Sequence, residues 1–252
     1  MKNIIIALIG TILLSSCNHT NSAPAPSPSV VTPAPVPAPA PTPTPPPSPS
    51  LLDQMIANGV PKAAATEAMA KYATFKSRAT NSAWLTVIDF TKPSGQKRMY
   101  MVNTATGAVT AIYVAHGSGS DPNATGTPYK FSNIPNTHMS SLGAYLVSEK
   151  FMFANHGESM KLDGLENTDS LVRERGIYMH PATYVSAGRS KMGMSWGCFA
   201  LSTTDIVTAL SRLSGGSFLY AYSTVKSQSM DKLLSPDYHF VNEGEGAPLN
   251  GD

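Results

Sequence analysis

Apolar residues recur at helical spacing from Leu51 to about Arg78. Leu52, Met55 and Ile56 share one face, Pro61 interrupts the run, and Ala65, Met69, Tyr72 and Phe75 continue it. This spacing predicts a helical hairpin that packs on whatever follows. From Trp84 the period shortens. Trp84–Phe90, Arg98–Val102 and Val109–Ala115 read as strands, separated by the turn signals Pro93-Ser94-Gly95 and Thr106-Gly107. Phe131–His138 reads as a loop, then Leu142–Val147 and Phe151–Phe153 as two further strands. Lys161-Leu162-Asp163-Gly164 suggests a turn after another short strand. Asp169–Arg175 suggests one or two helical turns, ended by Gly176. Ile177–Met179 predicts a buried strand with His180 at its end. Ser202-Thr203-Thr204-Asp205 has the form of a capping box, and Ile206, Val207, Leu210 and Leu213 share the face of the helix it opens. Gly215-Gly216 ends that helix and Phe218–Tyr222 forms a last strand. The pattern predicts an α+β fold, with a mainly antiparallel sheet and an N-terminal helical segment.

The ends have a different character. Lys2 precedes an apolar run from Ile4 to Leu14, too short for a membrane span but suited to a secretory signal. Leu14-Ser15-Ser16-Cys17 resembles a bacterial lipobox, which implies cleavage before Cys17 and lipidation of its thiol. Asn18 follows, and under the Gram-negative sorting rule a residue other than Asp there implies the outer membrane. The expectation is thus an exported protein, anchored by lipid in the cell envelope and facing the periplasm. Residues 18–50 hold most of the 21 prolines, among Ala, Ser, Thr and Val. Such a segment cannot bury a core, and fully extended it would reach on the order of 100 Å. Residues 226–252 read as a loose tail. About 200 residues remain from Leu51 onward, enough for one domain with a core. The net charge of +2 and the absence of a basic run give no reason to expect nucleic acid.

Candidate chemistry gathers at Ser195-Trp196-Gly197-Cys198. Beyond Cys17, Cys198 is the only cysteine in the chain. If Cys17 is lipidated, Cys198 has no disulfide partner, and an unpaired cysteine in an exported protein is a candidate reactive thiol. Gly197 lets the backbone turn sharply beside it, and His180 lies eighteen residues upstream. A lone thiol, a flexible turn and a histidine poised near neutrality suit thiolate-based acyl transfer. The residues alone leave the alternatives open: a buried inert cysteine and a histidine satisfied within the core. No compact zinc-ligand spacing is present, and His116, His138 and His156 carry no clear role.

Gly176-Ile177-Tyr178-Met179-His180, Tyr184-Val185-Ser186 and Met194–Cys198 together resemble the active-site segment of the murein L,D-transpeptidase catalytic-domain family. Val114–Gly117, Phe131–Asn133, Ser140–Gly143, His156-Gly157 and Lys161–Glu166 extend the likeness across about residues 84–222. The resemblance implies a cysteine L,D-transpeptidase-type catalytic domain over residues 81–225, with residues 51–80 packed on it. It implies Cys198 as nucleophile, His180 as base, and backbone N–H groups at Gly197 and Cys198 as an oxyanion hole. Arg175 is expected to hold a substrate carboxylate, with Ser195, Trp196, His156 and Tyr184 auxiliary. The implied partners are peptidoglycan stem peptides; no cofactor or metal is expected. The implied activity is transpeptidation through a thioester. A carboxypeptidase or endopeptidase using water, and a non-catalytic wall-binding lipoprotein, are the alternatives. Trp196 stands where the better-known branch has histidine, Phe199-Ala200 replaces its x-Arg, and Pro181 follows His180 in place of Gly or Ser.

Overall fold

The computed structural model describes residues 49–227; Cys17, the expected signal segment, nearly all of the proline-rich stretch and residues 228–252 lie outside the described residues. Two helices open the described chain, α1 at Leu51–Ala57 and α2 at Lys62–Phe75. Ser50 Oγ accepts from Asp53 N–H at 3.2 Å and so caps α1. Pro61 ends the link between the helices, and its carbonyl takes the first bond of α2. The inner face of α2 is small, with Ala64, Ala65 and Ala68 fully buried, so the helix lies close on the sheet.

Eight strands follow: β1 Trp84–Asp89, β2 Met99–Asn103, β3 Val109–Ile112, β4 Gly143–Phe153, β5 Gly157–Gly164, β6 Tyr178–Pro181, β7 Phe199–Leu201 and β8 Ser217–Tyr222. Among the described residues they form one sheet in the order β3-β2-β1-β8-β4-β5-β6-β7. Five pairings are antiparallel; β1–β8 and β6–β7 are parallel. Period-two alternation gives the sheet two apolar faces. Leu85, Val87, Tyr100, Val102, Phe218 and Tyr220 face α1 and α2. Ile88, Met99, Met101, Tyr145, Met179 and Phe199 belong to a second core, which α3 (Asp205–Leu213) covers with Ile206, Ala209, Leu210 and Leu213. Ser202 starts α3: its Oγ accepts from Asp205 N–H at 2.9 Å and donates to the Asp205 carboxylate at 2.8 Å.

Two sequence expectations need correction. Lys161–Gly164 is no turn but the end of β5, paired with Tyr145–Val147 and Tyr178. Gly164 is there because the backbone of Asp169 lies where a Cβ would go, a need that looks like a turn in sequence. Asp169–Arg175 forms successive turns rather than a regular helix. Side chains occupy its amides: Asn133 Oδ1 accepts from Leu171 N–H at 3.1 Å, and Asp169 Oδ1 accepts from Glu166 N–H at 2.8 Å.

Val109–Ala115 is also shorter as a strand, because the chain leaves β3 after Ile112 and joins the far edge of the sheet. Ala115 N–H donates to Ala200 O (2.9 Å), Ser195 N–H to His116 O (3.0 Å) and Ser118 N–H to Ser195 O (2.7 Å). The sheet therefore curls until the continuation of one edge meets the other at β7.

Asp169 is fully buried, and its Oδ2 has no hydrogen-bond partner among the described residues. Burial pushes its carboxyl up to about 8, against the pull of the Glu166 backbone bond. The native state therefore keeps the proton that the unfolded chain loses near pH 4, and stability contributed by this group falls as pH rises from about 4 to 8. Asp169→Asn keeps an acceptor for Glu166 N–H without that loss. Its unfolding free energy, from urea titration, should gain on wild type by up to about 1.4 kcal/mol per pH unit across this window. Parallel pH profiles for the two proteins would refute the assignment.

Candidate active site

The register of β6 and β7 sets Met179 opposite Phe199 and His180 opposite Ala200. Met179 and Phe199 point into the core, so alternation turns Tyr178, His180 and Ala200 to the other face. Extending the register by one residue brings Cys198 level with Tyr178. Cys198 thus lies just before β7, beside Tyr178 and two residues short of the level of His180 on β6. Tyr178 N–H donates to Cys198 Sγ at 3.4 Å, and the thiol reaches Gly176 O at 3.5 Å. Among the described residues no hydrogen bond joins the sulfur to the His180 ring.

The Cys198 loop is held from within. Ser195 Oγ donates to Cys198 O at 2.8 Å and accepts from Gly197 N–H at 3.2 Å. Ser195 is therefore the brace of the turn. Gly197 has φ +116, and a Cβ there would lie 2.5 Å from Ile177 Cδ1 and 2.8 Å from Met139 O. Its part is conformational: the Gly197 N–H, expected to stabilise an oxyanion, is already committed to Ser195.

Cys198 is 8% exposed and His180 2%. Burial pushes the thiol up to about 11, although Tyr178 N–H and the positive charge of Arg175 pull the other way. Burial, aided by the neighbouring His156, pushes His180 down to about 4 against its bond to Pro181. The expectation of a histidine poised near neutrality is corrected. At neutral pH the pair is a thiol and an uncharged imidazole. His180 Nδ1 donates to Pro181 O at 2.9 Å, which leaves the Nε2 lone pair free to accept a proton. Proline after the histidine still supplies the orienting carbonyl.

Arg175 is half-buried beside the Cys198 loop. Its guanidinium donates to Ser132 O (2.8 Å), Ser141 Oγ (2.6 Å) and Met139 O (2.6 Å), clamping the 132–141 loop beside the thiol. Among the described residues it has no carboxylate partner, so its charge is left to act on Cys198. His156 lies 4.7 Å from His180, edge to face, and stacks on Phe153 at 4.5 Å. Phe151 and Tyr178 extend this aromatic wall. On the other side Trp196 is 63% exposed and stacks on His138 at 4.8 Å. Tyr184 is half-buried against Ala115, Ala182 and Ala200; burial first, then proximity to Cys198, raises its pKa.

His116 is placed inside the fold. Arg98, fully buried, donates to His116 Nδ1 at 2.7 Å and to Val114 O at 2.9 and 3.0 Å. His116 Nε2 faces Asp121 Oδ2 at 3.6 Å. Sequence reading missed Arg98, Asp121 and Ser140 as supports of the site; Ser140 Oγ links Gly117 N–H to Gly197 O, at 3.0 Å each. Only the fold brings these residues under the loop. No group of three or more His, Cys, Asp or Glu able to hold a metal occurs among the described residues. Two concavities, of about 520 and 230 Å³, flank the 183–194 loop, and neither is lined by Cys198 or His180.

A sequence model of the L,D-transpeptidase catalytic domain matches residues 56–222. Similar solved structures include an L,D-transpeptidase from Mycobacterium smegmatis (12% identity, TM-score 0.38, 56% of this chain and 59% of that one). Others are L,D-transpeptidase 3 from Mycobacterium tuberculosis with a faropenem-derived adduct (12%, 0.37, 56% and 60%) and residues 123–326 of an L,D-transpeptidase from Xylanimonas cellulosilytica (14%, 0.35, 70% and 100%). The chain spans about 59% of the length of the Mycobacterium smegmatis protein. No curated protein sequence matches it.

Without substrate, alkylation of Cys198 by iodoacetamide should rise with pH to a midpoint near 11, well above the about 8.5 of a free cysteine. Arg175→Gln should move that midpoint upward, because the charge that favours the thiolate is gone. A midpoint unchanged by the substitution would show that the guanidinium does not act on the sulfur.

Proposed function

The chain belongs to the L,D-transpeptidase catalytic-domain family, and from that premise we propose that it is a cysteine acyltransferase acting on peptidoglycan stem peptides. The observation that supports this reading is the parallel pairing of β6, which carries His180, with β7, which Cys198 directly precedes, the sulfur bound by Tyr178 N–H and Nε2 left free by the Nδ1–Pro181 bond.

In the acylation step the Cys198 proton passes to His180 Nε2 as the sulfur attacks the carbonyl carbon of an L-to-D peptide bond. Transfer occurs with attack, since neither group is charged at rest. The tetrahedral adduct collapses by breaking the C–N bond. The imidazolium returns its proton to the leaving amine, and the terminal D-residue departs. An amine of a second stem then attacks the thioester, gives its proton to His180, and expels the thiolate, which takes that proton back. Arg175 favours both the developing thiolate and the oxyanion through charge rather than contact. The exposed Trp196 and the Phe153–His156 pair beside His180 offer aromatic surfaces to the stem peptide. In the same reading Cys17 carries a lipid, and residues 18–50 tether the enzyme between the outer membrane and the wall.

Purified protein incubated with disaccharide-tetrapeptide should yield a cross-linked dimer and free terminal D-residue, read by mass spectrometry. Cys198→Ala should yield neither, and His180→Ala should lower the rate by about 10²–10⁴. Trimmed monomer without dimer would assign water as the acceptor. Activity surviving in Cys198→Ala would overturn the reading.

A further inference from the structure

The larger concavity, of about 520 Å³, lies beyond the C-terminal ends of β6 and β7, the strands that carry His180 and follow Cys198. We propose that it binds an N-acetylated amino sugar of the glycan strand, the sugar bearing the stem peptide that Cys198 attacks; this rests on the function proposed above.

The volume falls in the range of small-molecule sites, about 300–1,000 Å³. Its floor is apolar and partly aromatic: Ile112 and Val185 are buried, and the Tyr113 ring is half-exposed. Its rim carries hydroxyls from Thr183, Ser186 and Thr203. A pyranose offers the complementary surfaces, with an apolar C–H face for the ring and equatorial hydroxyl and acetamide groups for the rim. Lys97 and Asp205 put one charge of each sign on the lining, which suits a neutral polar ligand better than an anion or a cation. Many side chains here are hydroxyls, yet none belongs to the machinery at Cys198.

Distance supports the same occupant. Thr183 lies three residues beyond His180, and Ser202 four beyond Cys198. A chain spans at most about 3.6 Å per residue, so both residues lie within roughly 14 Å of the reacting pair. A stem attacked at the carbonyl of its third residue spans about 10 Å, three extended residues, back to its sugar. Tyr184 connects the two places: its ring lies near the sulfur, and its neighbours Thr183 and Val185 line the cavity.

The test separates binding from turnover. Full-length Cys198→Ala protein, labelled with ¹⁵N, is titrated with the peptide-free N-acetylglucosaminyl–N-acetylmuramic acid disaccharide. Saturable shifts should gather at the amides of Tyr113, Thr183, Ser186 and Thr203, and should be lost when Tyr113→Leu or the exposed Thr183→Val is added. Absence of saturable shifts, or shifts unaffected by both substitutions, would overturn the proposal. In the otherwise wild-type enzyme, each substitution should raise KM for disaccharide-tetrapeptide roughly threefold to tenfold, the size of one aromatic contact, and leave KM for sugar-free tetrapeptide unchanged. Equal effects on both substrates would also overturn it. A protein that binds the disaccharide at these residues but turns over neither substrate would keep this inference and defeat the proposed acyl transfer.

Discussion

Three main-chain hydrogen bonds close the seam on which the site is built: Ala115 to Ala200, Ser195 to His116 and Ser118 to Ser195. They join the continuation of β3 to the far edge of the sheet, on both sides of Cys198. A free edge strand would leave its amides and carbonyls unpaired, so the curl satisfies backbone groups and fixes the nucleophile loop together. Beneath the seam lies Arg98, fully buried, whose burial lowers its pKa to about 9. Such a group is tolerated because its donors find Val114 O, Lys92 O and His116 Nδ1. It ties the chain entering the seam to the turn before β2. Removing one partner would leave a buried cation short of acceptors, a larger loss than the bond itself.

The same burial that orders the site leaves it uncharged. A thiol pushed up to about 11 and an imidazole pushed down to about 4 do not form an ion pair at rest. Under the proposed acyl transfer, the reaction would draw on groups that act only as charge develops. Arg175 is suited to this because its own partners are carbonyls and hydroxyls, which hold it without neutralising it. A carboxylate in that place would fix the guanidinium equally well and cancel its effect on the sulfur.

Much of this was legible in the sequence where a local pattern carried the information. The helical spacing before Phe75, the alternation from Trp84 and the Ser202–Asp205 cap each reflect interactions within a few residues. Cys198, Gly197 and His180 stood out because a lone thiol beside glycine is rare and the motif around it is long. What the sequence hid was set by distant contacts. Gly164 reads as a turn, yet it is a strand residue pressed against Asp169. Arg175 reads as a substrate ligand, yet the 132–141 loop takes its donors. His180 reads as a group titrating near neutrality, and only its burial and His156 show otherwise. Arg98, Asp121 and Ser140 carry no local signal, because their role arises where separate segments meet.

The wall around Trp196 follows from the same scaffold. His138 adopts φ +50, a region costly for a residue with a Cβ, and it persists only where the surroundings over-determine it. Here they do: His138 O accepts from Gly119 N–H at 3.0 Å, Arg175 binds Met139 O on one side, and Ser140 links Gly117 to Gly197 on the other. The strained residue thereby supports an indole that is largely exposed, a position where an unsupported Trp would move freely. One set of contacts thus braces the nucleophile turn, the guanidinium beside it and the aromatic face at its entrance. Substitutions within that set share partners, so their effects should not add as those of independent sites do. Loop, charge and the Cys198 turn form one energetic unit, with the 132–141 segment as its common member.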